Sequence, residues 1–105
     1  MKVNARLLPM LILLTASFTP SSHAQTAGEL FKSKCVACHG EDGKGQTPAG
    51  KGLHARDLSS ADVQKQGDTD LGYVISNGKN KMPAFTGFSP EQITSLVKYI
   101  RGMKK

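Results

Sequence analysis

Two thiols and an imidazole stand close together in "KCVACHG", Lys34 to Gly40, and Cys35 and Cys38 are the chain's only cysteines. Thiols three residues apart at a helix end can form thioethers to both vinyl groups of one porphyrin. The residue after the second, His39, then lies beneath the iron and can bind it axially; Cys-x-x-Cys-His is the attachment signature of c-type haem. Three other chemistries use part of this pattern. A thioredoxin-like redox pair shares the Cys-x-x-Cys but needs a βαβ pattern, which the sequence lacks. A zinc site wants ligands from a second Cys/His pair, and there is none. A plain disulfide leaves His39 without a role.

The elements that must present these groups read as helices. "TAGELFKSKC" opens with Thr26 and has Glu29 three residues later, a capping-box pattern, and Ala27, Leu30, Phe31 and Cys35 then share one face. "SSADVQKQG" predicts a short turn capped by Ser59 or Ser60 and stopped at Gly67. In "DTDLGYVISNG", Leu71, Val74 and Ile75 fall at helical spacing before the stop signal Asn77-Gly78. "SPEQITSLVKYIRGMKK" is the strongest helix signal: Ser89 caps, Pro90 takes the first position, Gln92 completes a capping box, and Ile93, Leu96, Val97 and Ile100 form the buried stripe. No window alternates as a strand. The expected fold is therefore all-α, with three to four short helices joined by loops containing Gly and Pro.

Taken in order, "GELFKSKCVACHGEDGKG", "NGKNKMPAF" and "LVKYIRGM" resemble the short bacterial class I c-type cytochromes. The resemblance runs from about Gly28 to Met103. It implies helices wrapped around one haem c attached through Cys35 and Cys38, with first and last helices in contact through Phe31, Leu96 and Tyr99. It implies single-electron transfer in the periplasm. It also implies that Met82 supplies the second axial ligand opposite His39. A thioether is a soft ligand that favours ferrous iron and raises the reduction potential. Pro83 disfavours the helical conformation at Met82 and holds it extended. Against this, most methionines are core fillers. Met103 sits near the chain end, and His54 would give a bis-histidine, lower-potential haem.

The same resemblance gives the segment after His39 a task. A proline carbonyl there accepts the proton of the ligating imidazole, and Pro48 is the proline available. The glycines of "GEDGKGQTPAGKG" let the backbone pass close to a flat macrocycle. A phosphate-binding loop is excluded, because Gly52 stands where Ser or Thr is required and no strand precedes it. Arg56 and Lys51 are candidates to neutralise haem propionates, and Phe85 and Phe88 to wall the haem. Lys44, Lys51, Lys79 and Lys81 are expected to border its edge, where they would steer redox partners with acidic docking surfaces. Lys98, Arg101, Lys104 and Lys105 suit the negative C-terminal end of the last helix.

The outer bounds agree with export. The 105 residues are 38% apolar and 21% charged, with no Trp. Lys2 and Arg6 precede the apolar run Leu7 to Ala16, and Pro20 and small residues follow, with Ser22 and Ala24 at the −3 and −1 positions of a cleavage site. This predicts a signal peptide over residues 1–24 and one domain over residues 25–105. Cleavage removes Lys2 and Arg6 and leaves 81 residues with net charge +4. A domain so small normally needs disulfides or a metal, and this one has at most one very short disulfide loop. Export and the lack of a recognition motif exclude nucleic acid as a partner. Two axial ligands leave iron no open position, so the expected protein is a soluble electron carrier, not an enzyme. The competing readings are a peroxidase-like or gas-sensing haem protein with a vacatable iron site, and a membrane-tethered cytochrome subunit that keeps its apolar N-terminus.

Overall fold

In the computed structural model, which describes residues 25–105, six helices follow one another: α1 (Ala27–Lys34), α2 (Val36–His39), α3 (Pro48–Leu53), α4 (Ala61–Gln64), α5 (Asp68–Asn77) and α6 (Pro90–Arg101). Among the described residues there is no strand, only an isolated bridge between Lys79 and Met82, so the fold is all-α. The predicted signal peptide and its cleavage point after Ala24 lie outside the described residues. Among the described residues, no helix is long and apolar enough to cross a membrane.

Local chemistry accounts for most helix boundaries. Ser89 Oγ accepts from Gln92 N at 3.1 Å while Gln92 Oε1 accepts from Ser89 N at 2.8 Å, the reciprocal pair that starts α6. Thr26 and Ser60 cap α1 and α4 through the backbone N–H groups of Glu29 and Val63. Gly78 ends α5 with φ +75°, a conformation costly for other residues. Gly67 does not stop α4 as expected. The helix ends at Gln64, and Gly67 instead opens α5, its N–H donating to Asp70 Oδ2 at 3.3 Å.

Two of the helices sit where sequence periodicity indicates none. α2 is a single turn separated from α1 at Cys35. α3 is built from "PAGKGL" inside the glycine-rich segment, with Thr47 as its cap and Pro48 in its first turn. Helices this short are not stable alone; they exist because they pack on each other.

The core contains Leu30, Phe31, Leu58, Val63, Leu71, Ile75, Leu96, Val97 and Ile100. α6 crosses against both α1 and α5. At the α1–α6 crossing, Phe31 is 1% exposed and its ring lies 5.1 Å from that of Tyr99, tilted by 41°. This is the expected contact of first and last helices, and a favourable aromatic geometry. Arg101 stands in the last turn of α6, as expected, and also reaches outward. Its guanidinium donates to the carbonyls of Gln64 and Gln66 and to Asp68 Oδ1, which fastens the α4–α5 connection to α6.

Candidate functional site

α2 is a single turn: its Val36 carbonyl accepts from Gly40 N at 2.8 Å, but the next two carbonyls need a partner from elsewhere. Thr47 supplies it: its hydroxyl lies 2.7 Å from Ala37 O and 3.0 Å from Cys38 O, while it accepts from Gly50 N at 2.9 Å. One side chain thus closes the end of α2 and caps α3. Sequence reading missed this role, though Thr before Pro at a helix start is a detectable cap signal. Gly50 allows the two helices to meet, because a Cβ there would collide with the Cys38 carbonyl. Gly45, at φ +71°, passes equally close to the Ala55 carbonyl. Gly45 and Gly50 therefore serve the close approach of chain to chain. The expectation that they skirt a macrocycle is corrected, since none of them lines the cavity described below.

His39 is held twice. Its carbonyl accepts from Gly45 N at 2.7 Å, and its ring Nδ1 lies 2.9 Å from the carbonyl oxygen of Arg56. A carbonyl can only accept, so Nδ1 carries the proton and Nε2 is the free ring nitrogen. The expected partner, Pro48, is displaced from this role. Pro48 begins α3, whereas residues 55–58 run back beside the segment after α2: Leu58 N donates to Gly43 O at 2.7 Å, and a Cβ at Gly45 would meet the Ala55 and Arg56 carbonyls.

A cavity opens beside this imidazole in two adjoining lobes, about 680 and about 780 Å³ with the space open to solvent included. Both lobes are lined by Cys35, His39, Arg56, Val74, Lys79 and Met82, and Cys38 lines the second. Seven of the nine buried core residues, from Phe31 to Ile100, line the first lobe. The hydrophobic core is therefore a shell around the cavity, which fits a flat, mostly apolar macrocycle with thiols and an imidazole at its attachment edge.

Met82 reaches the same space from the other side of the chain. After α5 the chain makes a tight turn in which Lys79 and Met82 exchange both backbone hydrogen bonds, at 3.2 and 2.9 Å, with Asn80 at φ +52°. Met82 is thus the bridge residue that closes this turn, directly before Pro83. Phe85 N donates to Ile75 O at 3.0 Å and ties the turn to α5. Phe85 lines the second lobe, while Phe88 stacks on Phe85 at 5.4 Å and does not reach the cavity. Met103 packs near Gly43 and Leu58, away from both lobes. His54 lines the second lobe but is exposed and caps α3 in the left-handed conformation, φ 56°.

The Cys35 thiol does not have the electrostatics of the attacking thiol of a redox pair. Burial, and then the neighbouring Cys38, push the Cys35 thiol up to about 11. Reactive Cys-x-x-Cys thiols are shifted the opposite way. Among the described residues, no group of three or more His, Cys, Asp or Glu gathers to hold a metal ion.

Positive charge rims the opening. Arg56 and Lys79 line both lobes, and Lys34 and Lys81 the second. Lys44 and Lys51, expected at this edge, line neither lobe. Lys34 was not anticipated there; only the turn between α1 and α2 places it.

A family described as cytochrome c oxidase, cbb3-type, subunit III matches residues 22–100. Cytochrome c6 of Anabaena variabilis is 35% identical over 78 residues, covering 70% of this chain and 84% of that protein. The Cbb3-type cytochrome c oxidase subunit CcoP of Rubrivivax gelatinosus is 37% identical over 89 residues, covering 80% of this chain but 28% of that protein. Among solved structures, KustC0563 c-type cytochrome aligns with TM-score 0.70 at 34% identity, covering 77% of this chain and all of that one.

Proposed function

We propose that this chain, which belongs to the class I c-type cytochromes and carries covalently attached haem c, passes single electrons between partner proteins in the periplasm. Cys35 and Cys38 would hold the haem through thioethers, with His39 and Met82 as its two axial ligands. The observation that carries this reading is that an imidazole with its Nδ1 occupied and a thioether on an independent turn line both lobes of one apolar cavity. The haem supplies the redox chemistry when bound. The chain's own contributions are orientation and exclusion. Arg56 O fixes the imidazole plane, Pro83 and the Lys79–Met82 bridge present the thioether, and the core residues keep water away.

Two protein ligands leave no place for substrate, which supports a carrier and not an enzyme. Electrons then pass at the edge, and the rim of Lys34, Arg56, Lys79 and Lys81 favours partners with acidic docking surfaces. Periplasmic location rests on the signal-peptide pattern of residues 1–24. The test is a potentiometric titration with carbon monoxide present. A reversible one-electron transition, with no carbon monoxide binding to the ferrous protein at neutral pH, supports the carrier. Rapid binding would favour a peroxidase-like or sensing site.

The matched family and CcoP favour one second reading, a subunit of a larger oxidoreductase. Recovery of the full-length protein in salt-washed membranes, with residues 1–24 retained, would support it over the free carrier.

A further inference from the structure

The bond that orients His39 depends on a backbone carbonyl, so something must hold that carbonyl still. Arg56 belongs to an exposed segment, and the Arg56–Asp57 peptide plane could turn about its flanking dihedrals. Asp57 stands at the far end of that plane and is itself tied down. Its Oδ1 accepts from Ser59 N at 2.9 Å and from Ser59 Oγ at 2.6 Å, a closed side-chain turn around a serine that is 6% exposed. Its backbone oxygen accepts from Ser60 N at 3.1 Å. Its second carboxylate oxygen lies 3.7 Å from Lys105 Nζ. Just beyond, Leu58 is tied to Gly43 by its N–H and to Gln64 Nε2, at 2.7 Å, by its carbonyl.

We propose that Asp57 is a positioning residue for the axial imidazole: its side-chain turn onto Ser59 fixes the peptide plane whose carbonyl oxygen holds His39 Nδ1. This rests on His39 being the axial ligand proposed above. An acceptor at position 57 does the work, and its charge is secondary, so asparagine can replace it and alanine cannot.

The test uses purified ferrous holoprotein and follows solvent exchange of the His39 Nδ1 proton by NMR. The variants are Asp57→Ala, Asp57→Asn and Ser59→Ala, with Asp62→Ala as a surface carboxylate control that pairs with the exposed Lys65. Exchange should be on the order of tenfold faster in Asp57→Ala, the factor that follows loss of an ordinary hydrogen bond. Ser59→Ala should be intermediate, and Asp57→Asn and Asp62→Ala should match wild type. If Asp57→Ala does not fold, the comparison of Ser59→Ala with Asp57→Asn carries the test alone. Unchanged exchange in Asp57→Ala and Ser59→Ala overturns the proposal, as does equal acceleration in Asp57→Asn, which would make charge the cause. A haem spectrum left unchanged by loss of the His39 imidazole, with no change of spin-state bands, overturns the ligand assignment itself, a separate outcome.

Discussion

His39 donates through Nδ1 to the carbonyl oxygen of Arg56, 2.9 Å away and 17 residues further on. Because the acceptor is backbone, the Arg56 side chain is free for another task, and Arg56→Ala separates the two. The haem spectrum and thermal midpoint should stay near wild type. The second-order rate with an acidic redox partner should fall several-fold at low salt and converge with wild type near 1 M, where the screening length is about 3 Å. Stopped-flow measurements over a salt series check this.

Gly50 and Gly52 lie two residues apart in α3 with opposite surroundings. A Cβ at Gly50 meets the Cys38 carbonyl, while one at Gly52 meets nothing within 4 Å. Gly50→Ala should cost roughly 1–3 kcal/mol through forced separation of α2 and α3. Gly52→Ala should stabilise by about 0.4–1 kcal/mol, through lost freedom of the unfolded chain. Thermal melting of the two holoproteins distinguishes them.

The core is a shell around the cavity, so the haem must complete it. If the macrocycle and its lining remove roughly 500 Å² of apolar surface from water, the gain is on the order of 12 kcal/mol. That is comparable with a whole domain's stability of about 5–15 kcal/mol. The Cys35→Ala/Cys38→Ala chain, unable to retain haem covalently, should show no sharp thermal transition by circular dichroism.

The Asp57 carboxyl is held below its ordinary range, first by the Ser59 hydroxyl, with burial opposing and Ser59 N and Lys105 assisting. A depressed folded pKa adds stability that is present above the unfolded value, about 3.9, and is lost as pH falls through the folded value. Wild type should therefore exceed Asp57→Asn in stability above about pH 5, and the gap should close on acidification. Melting curves between neutral and strongly acid pH follow that difference.

Short-range chemistry made much of this fold legible in the sequence. Ser89, Pro90 and Gln92 encode the start of α6, Asn77-Gly78 the end of α5, and both act within a few residues. The attachment pattern Cys35-x-x-Cys38-His39 is equally local. What escaped was set by tertiary contact. A backbone acceptor carries no residue-type signal, so Arg56 O could not be told from Pro48 O until residues 55–58 were seen lying beside Gly43 and Gly45. The rim failed for a similar reason. Lys34 and Lys51 look alike in sequence, and only the turn at Cys35 and the packing of α3 decide which one borders the cavity.

The most direct test of the central claim is the oxidised-state visible spectrum of the exported protein, made in a host that matures c-type cytochromes. The expected result is a red protein whose haem survives denaturation. It should show the weak far-red band of iron–thioether bonding, lost in Met82→Ala and kept in His54→Ala. A colourless, well-folded product, or a far-red band that persists in Met82→Ala, would contradict it.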